Sequence, residues 1–287
     1  MRAAVAATDS WTDPEVRWLL STVAVQTLGR GLTLPFTVIY LNEVRHLSLE
    51  TAGTVMAVLA LAAAEVLLLD ELVNPQIVEM APMARVIRVG KRGGCRSTPQ
   101  AFICRLMRRY ALQGARVVRV KGGDALLFGR AGEEIEFLRQ AGIPVRIING
   151  ISAGFAAAAS LGVSLTHRDH CHGITFVTAH TQDHSEPDWA ALAATGTTLA
   201  IYMGMNRMAS LAASLLAHLP AETPAAIVQS ASQPNEAQLL TTLGRLAADA
   251  HRTGLGSPGV ILVGAALGAA MLSAAPAELS GRTMTQA

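Results

Sequence analysis

Charge is scarce in this chain: Lys, Arg, Asp and Glu together make up 15% of 287 residues, against 51% apolar residues. That balance is unusual for a soluble protein. The apolar excess is local, concentrated in the first third. The formal net charge is only +2 and there is no polybasic run, which argues against a nucleic-acid partner. Cysteine is equally sparse. Cys95, Cys104 and Cys171 are odd in number and widely spaced, so they form neither a disulfide framework nor a paired metal motif. Reduced thiols and a cytoplasmic setting are expected. His167, His170 and His172 lie close together, but no carboxylate–histidine helix motif accompanies them, and no metal site is expected. Also missing is a clean apolar run of about 20 residues, the length a bilayer crossing requires. Residues 18–26 and 32–41 are apolar, yet Gly29-Arg30-Gly31 separates them and Pro35 interrupts the second. No cleavage-like site follows a compact apolar core, so this is no ordinary signal peptide.

What is present is organised around residues 117–154. Val117, Val118 and Val120 form a β-branched run of the kind a buried parallel strand uses. It stops at Gly122-Gly123-Asp124, where two glycines permit positive φ and close approach of backbone to a ligand. Asp124 can accept hydrogen bonds from a ribose, an amine or its own turn. Glu133 and Glu134 open a helical stretch ending near Gly142, and residues 145–148 read as the next strand. The exit from that strand, Asn149-Gly150-Ile151-Ser152-Ala153-Gly154, is a second small-residue turn. Two such turns on successive parallel strands would lie side by side at the carboxyl edge of the sheet, where open α/β sheets bind ligands.

The flanking chain reads as α/β throughout, and its length suffices for two domains. Residues 37–41 suit a strand and 48–63 a helix, with Ser48 as N-cap. Strands follow at Val66–Leu69 and 85–89, and a helix at 99–113 with Gly114 as its stop. An alanine-rich helix covers 155–161. A second unit starts near His170. Its strands are expected at Ile174–Thr178, 198–203, 225–229, 238–242 and Gly259–Val263, and its helices at Trp189–Ala194, 208–218 and 243–250. The tail after Gly268 is expected to be loosely held.

Several segments resemble a known family. K-G-G-D-A-L-L-F-G-R-A-G-E-E, A-G-I-P-V, N-G-I-S-A-G, L-G-V-S-L-T-H-R-D, F-V-T-A-H and I-Y-M-G-M, with L-L-L-D-E-L-V-N-P and V-G-K-R-G-G, occur in the order and near-spacing of the uroporphyrinogen-III C-methyltransferases of the tetrapyrrole methylase family. The resemblance covers about residues 65–265. It implies a two-domain α/β fold with a parallel N-terminal sheet and a mixed C-terminal sheet, divided as 65–167 and 168–268, followed by a tail at 269–287. It also implies S-adenosylmethionine as methyl donor, uroporphyrinogen III as substrate and precorrin-2 as product of two methylations, for sirohaem or cobalamin, in a homodimer. By the same resemblance Asp70 is the proton acceptor and Lys91 its acidic partner. Gly122, Gly123, Asp124, Leu127, Ser152, Ala153, Met203 and Ala231 match the cofactor contacts. Arg92, Thr166, His167 and Arg168, with Lys91 and Arg96, would meet the substrate's carboxylates. Arg119 and Arg130 are assigned to structure.

Residues 1–64 depart from that pattern. The stretch L-G-R-G-L-T-L-P-F-T-V-I-Y-L-N-E-V-R-H-L-S-L-E-T-A-G resembles the first transmembrane helix and following loop of major-facilitator transporters. The competing reading is a non-catalytic fusion or a membrane-anchored, transporter-derived protein, with membrane contact through residues 18–64. A strand–helix–strand unit supplying the first strand and helix of the sheet is preferred. The family's glycine-rich first loop, G-A-G-P-G-D, has no counterpart, and residues 42–47 stand nearest to its place. Leu69 and Glu71 replace the Tyr and Arg that usually flank the acceptor Asp. Ala125 and Asn149 stand where the family has Pro, and Ala179 where it has Gly. These departures predict weakened cofactor binding and activity that is low or absent.

Overall fold

The computed structural model describes residues 49–90, 98–179 and 185–268. The strand expected at 37–41, the loop at 42–47, and Lys91, Arg92, Cys95 and Arg96 lie outside the described residues.

The chain forms two sheets. The first has three parallel strands, β1 (Val66–Leu69), β2 (Arg85–Arg88) and β3 (Val117–Val120), with β1 central. All four residues of β1 are buried, which is why its sequence, V-L-L-L, is apolar without alternation. Leu68 faces a cluster with Val66, Ile103, Cys104, Met107 and Leu138, supplied by α2 (Gln100–Leu112) and α3 (Ala131–Gln140). Leu67 faces the other way, onto Leu61 of α1 (Leu49–Ala62) and Ala81. Leu69 pairs with Arg88 on one side and Val120 on the other, so the three strands end level.

Helix α1 realises the helix expected at 48–63. Its 14 residues extend roughly 21 Å, short of the ~30 Å hydrocarbon core of a bilayer. No helix among the described residues is long and apolar enough to cross a membrane.

The second sheet has five strands in the order β4-β5-β8-β6-β7: Ile174–Thr178, Thr198–Tyr202, Gly259–Val263, Pro224–Gln229 and Ala237–Thr242. Only β4 and β5 run parallel; the remaining pairs are antiparallel. Both faces are covered. Leu199 and Ile201 pack with Leu211, Leu215 and Leu246 from α6 (Met208–Leu216) and α7 (Leu246–Thr253). The alternate residues, Ala200 and Tyr202, pack with Ala157 and Ala158 of α4 (Ala153–Leu161). Alanines there let the helix lie close to the sheet. Helix α4 thus carries the turn at 149–154 directly onto the second sheet. The short helix α5 (Trp189–Ala194) completes the first of the two clusters through Trp189.

One expected strand is absent. Residues 145–148 form no ladder, and among the described residues the first sheet ends at β3. A strand exists only with a neighbour to pair with, and apolar spacing alone does not supply one. Val145 instead packs partly buried against the α2–α3 cluster. The helix expected over 243–250 begins as a 3-10 turn, Leu243–Arg245, before α7. Cys104 and Cys171 are buried free thiols.

Candidate active site

Because the three strands of the first sheet end level, their exits form one rim. Asp70 follows β1, and its backbone N–H donates to Val120 O at 3.1 Å. Asp70 Oδ1 accepts from Glu71 N at 2.9 Å, and Oδ2 from Arg119 Nη2 at 2.7 Å. Arg119 is the residue that fixes Asp70. Its side chain is only 11% exposed, and it also donates to the carbonyls of Leu68 and Val120. Its Nε lies 3.5 Å from Glu134 Oε1. Glu134 is itself buried, and its Oε1 takes Lys121 Nζ at 3.0 Å and Gln100 Nε2 at 2.8 Å. Lys121 also donates to Gly129 O at 2.6 Å, closing the loop that follows Gly122-Gly123-Asp124. A charge network of buried side chains therefore lies directly beneath the rim. Within it Arg119 Nε makes only the ion-pair approach to Glu134 and no hydrogen bond, while the contacts through Asp70, Gln100 and Gly129 are hydrogen bonds. Gly90, at the β2 exit, abuts Glu71: a Cβ there would lie 2.6 Å from Glu71 N.

The turn at Gly122-Gly123-Asp124 is tight for definable reasons. A Cβ on Gly122 would sit 2.8 Å from Leu72 O. Gly123 has φ +70°, a conformation that L-residues with side chains adopt only at a cost. Asp124 Oδ1 accepts from Leu126 N at 2.7 Å, so of the partners foreseen for this carboxylate, its own turn takes one oxygen.

The second turn reaches the first even though no strand delivers it. A Cβ on Gly150 would overlap Gly123 O, and one on Gly123 would lie 3.4 Å from Ala153 N. The two glycine turns cross at van der Waals distance. Ser152 is buried at the N-terminus of α4. Its hydroxyl bonds the Tyr202 hydroxyl, which also accepts from Gly154 N at 2.7 Å. Phe128, from the loop after Asp124, sets its ring 5.0 Å from that of Tyr202. Tyr202 ends β5, so Met203 emerges at the same place, half exposed and with φ +58°.

Strands β5 and β6 both run antiparallel to β8 and hence parallel to each other, so their exits share an edge. The β6 exit brings Ser230, Ala231 and Ser232 there, the two serines with φ of 51° and 64°. Gln233 then reaches across to the first half, its Nε2 donating to Leu72 O at 2.9 Å. Left-handed non-glycine residues are costly and cluster at ligand sites. Here they fall at Phe128, Arg130, Met203, Ser230 and Ser232, around or next to the crossing of the glycine turns.

The structure thus gathers Asp70, Gly122, Gly123, Asp124, Leu127, Ser152, Ala153, Met203 and Ala231 onto adjoining loops. It does not join Thr166, His167 and Arg168 to them. Those residues belong to a hairpin closed by the His167–Cys171 bridge, in which the His167 ring stacks on His170 at 4.6 Å. Cys171 Sγ accepts from Thr198 N at 3.1 Å, which ties the hairpin to the start of β5. Met203 leaves the opposite end of that strand, roughly 13 Å further along at ~3.3 Å per residue. Sequence reasoning left Arg119 as a structural residue, read Gly150 only as part of a turn, and passed over Tyr202 and Gln233. A tyrosine at the last position of a strand, one residue before a candidate contact, was the available signal for Tyr202. Arg119 and Gln233 carried none.

A two-sheet α/β protein whose glycine turns and strained loops meet at strand exits is built to hold a small ligand at that edge. The chain belongs to the tetrapyrrole (corrin/porphyrin) methylase family, whose pattern matches residues 53–247. The match begins inside α1, so that helix falls within the methylase region. The chain is 53% identical over 212 residues to a uroporphyrinogen-III C-methyltransferase of Pseudomonas aeruginosa, spanning 74% of this chain and 86% of the relative. It is 45% identical to one from Pseudomonas fluorescens over 75% and 88% of the two chains. The crystal structure of the Thermus thermophilus uroporphyrin-III C-methyltransferase, complexed with S-adenosylhomocysteine, superposes with a TM-score of 0.64 at 31% identity, covering 75% of this chain and 92% of that one.

Proposed function

We propose that this chain is an S-adenosylmethionine-dependent C-methyltransferase that converts uroporphyrinogen III to precorrin-2 by two methylations, on the route to sirohaem or cobalamin. The observation that carries the reading is the crossing of Gly122-Gly123-Asp124 with Asn149–Gly154 against the Tyr202–Met203 strand end, in a chain sharing 53% identity with a curated enzyme of this activity.

The residues of this edge suit the cofactor. Gly122 and Gly123 let their loop pass close against Leu72 and the Ile151–Ala153 turn, and the half-exposed Met203 offers a polarizable apolar wall. Asp124 keeps one carboxylate oxygen beyond its own turn for a polar group. Leu127, Ser152, Ala153 and Ala231 complete the contacts. When bound, S-adenosylmethionine supplies an electrophilic methyl group on a sulfonium. The chain's own work is to orient that methyl toward a pyrrole carbon, exclude water and take up the proton released afterwards. Asp70, held by Arg119 at 2.7 Å, is the acceptor, and Lys91 its acidic partner. Arg92, Thr166, His167 and Arg168 are assigned to the carboxylates of uroporphyrinogen III on the strength of the family motif.

The methylase halves are 65–167 and 168–268. Residues 1–64 are an atypical segment whose closing helix, α1, already lies largely within the family match, and 269–287 are a tail. The working protein is a cytoplasmic homodimer. The direct test is incubation of the purified chain with uroporphyrinogen III and S-adenosylmethionine, with mass spectrometry of the tetrapyrrole. Gain of two methyl groups is expected, and an unchanged macrocycle after prolonged incubation would refute the activity. Light scattering of the same preparation checks the dimer.

A further inference from the structure

Glu236 lies outside every motif discussed above, yet three donors converge on its carboxylate. Ser160 Oγ and Gln238 Nε2 donate to Oε1, the latter at 3.0 Å, and Ser232 N donates to Oε2 at 2.6 Å. Each partner comes from a different element. Ser160 is in the last turn of α4, whose first turn holds Ser152 and Ala153. Ser232 is one of the two left-handed residues that flank Ala231. Gln238 is in β7 and also donates to the Ser160 carbonyl at 3.1 Å. The loop between β6 and β7 is also held by backbone bonds from Ser230 N to Pro258 O, Gln233 N to Ser230 O and Glu236 N to Gln233 O, and by Asn235 Nδ2 on Ser230 Oγ at 3.2 Å, while its Gln233 side chain reaches Leu72 O. One half-buried carboxylate therefore ties the loop carrying Ala231 to the far end of the helix that carries Ser152 and Ala153.

We infer that Glu236 is a positioning residue for the cofactor: by satisfying Ser160 and Ser232 together it keeps the Ser230–Ala231–Ser232 loop and α4 in the relative placement that binding needs. The inference rests on the reading of Ser152, Ala153 and Ala231 as cofactor contacts. Left-handed serines cost free energy that some other interaction must offset, and Glu236 is the side chain in contact with that loop that supplies a charge-assisted bond. A carboxylate can accept from all three neighbours at once. Glu236→Gln removes the charge and leaves a single accepting oxygen: with that oxygen on Ser232 N–H, the NH2 arm can donate to the Ser160 hydroxyl but opposes the Gln238 amide, and with it on the Ser160–Gln238 side, the NH2 arm opposes the Ser232 N–H.

The test is calorimetric titration of the full-length protein with S-adenosylhomocysteine, for the native chain, Glu236→Gln and Ser160→Ala, alongside thermal melting and steady-state rates. Glu236→Gln is expected to raise Kd and the S-adenosylmethionine KM by about tenfold, with kcat at saturating cofactor close to native. Ser160→Ala leaves the Ser232 bond in place and should raise Kd by a smaller factor, roughly threefold on the same scale. A Glu236→Gln protein that binds with native affinity overturns the inference, whatever its melting temperature, since a purely structural residue would lower Tm without moving Kd. Should Glu236→Gln fail to fold, an unchanged Kd in Ser160→Ala overturns it. A native chain that does not bind S-adenosylhomocysteine removes the functional reading itself, and this inference with it.

Discussion

Arg119 Nη2 reaches from β3 to Asp70 Oδ2 across 2.7 Å, joining the first carboxylate after β1 to a guanidinium that is 11% exposed. The pair connects the rim to the buried Glu134–Lys121 network, because Arg119 Nε and Lys121 Nζ both approach Glu134 Oε1. A carboxylate restrained from below presents a fixed face to whatever binds above it.

Removing the guanidinium should therefore do more than lose one ion pair. Arg119→Met leaves Glu134 with fewer counter-charges in a buried position and frees Asp70 to rotate. The expected cost is about 3 kcal/mol of stability, together with a fall in kcat. Asp70→Ala and the double variant complete a cycle, and denaturant melts of the four proteins yield the coupling. A coupling energy of at least about 1 kcal/mol is expected for residues in direct contact. Additive losses would mean that the 2.7 Å contact contributes nothing of its own.

Gly123 and Gly150 separate two kinds of glycine requirement. A Cβ on Gly123 has ordinary room, so the penalty there is the φ of +70°. Gly123→Val should keep the fold, at a cost of about 1–2 kcal/mol from the left-handed conformation, and abolish measurable S-adenosylhomocysteine binding. Unchanged affinity by calorimetric titration would remove this turn from the site. Gly150 faces a steric barrier: its Cβ would overlap the Gly123 carbonyl oxygen, so the turns must part. Gly150→Ala is expected to lose both affinity and several degrees of Tm, and the contrast between the two variants is read in one melting series.

Most elements could be located from apolar spacing and glycine stops. The V-L-L-L run of β1 is short, unbroken and followed by turn residues, which is how a strand buried on both faces must look; the V-V-R-V run of β3, interrupted by Arg119, is half-buried along its length. Residues 145–148 have the same appearance and form no strand, because pairing depends on a neighbour that local sequence does not encode. The glycines of the two turns were readable as turn formers. That they would lie side by side was expected from successive strands, but what brings them together is α4 packing onto the second sheet through Ala157 and Ala158, which the local sequence does not show. Likewise Arg119 carries no local signal that it will pair with a residue 49 positions away. Residues that act through tertiary contacts, such as Glu236 and Tyr202, emerge only once the chain is folded.

Asp249 supplies a pH test separate from the site. Its carboxylate is 6% exposed and accepts from Thr241 Oγ1 at 2.6 Å and from Arg252 Nη2 at 3.1 Å, joining α7 to β7. The Thr241 hydrogen bond, opposed by burial and aided by Arg252 and Arg245, holds its pKa below the usual carboxylate value. A depressed folded-state pKa stabilises the fold above the unfolded value, and that contribution is lost as pH falls through the folded one. Asp249→Asn should then be less stable than the native chain by about 1–3 kcal/mol at pH 7. The gap should narrow once pH drops below about 4. Urea melts at both pH values check this, and a gap that stays constant would show that Asp249 acts by packing alone.

By its resemblance to the methylases this sequence lacks their glycine-rich first loop, and this bears directly on turnover. Asn42-Glu43-Val44-Arg45-His46-Leu47, nearest to that loop in sequence, has neither glycine nor proline. A glycine-rich loop lets backbone N–H groups approach a cofactor, and losing two or three such hydrogen bonds at ~1 kcal/mol each weakens binding by roughly ten- to a hundredfold or more. Glu71, exposed beside Asp70, adds negative charge where a substrate rich in carboxylates must approach, and Glu43 adds another to the segment. The native chain is therefore expected to fold with most of its cofactor contacts in place and to turn over slowly. Replacing residues 1–47 with a strand ending in Gly-Ala-Gly-Pro-Gly-Asp should lower the S-adenosylmethionine KM and raise the rate of uroporphyrinogen III methylation, measured side by side with the native chain. Equal rates in the two proteins would mean that residues 1–47 already do what the glycine-rich loop does in the family.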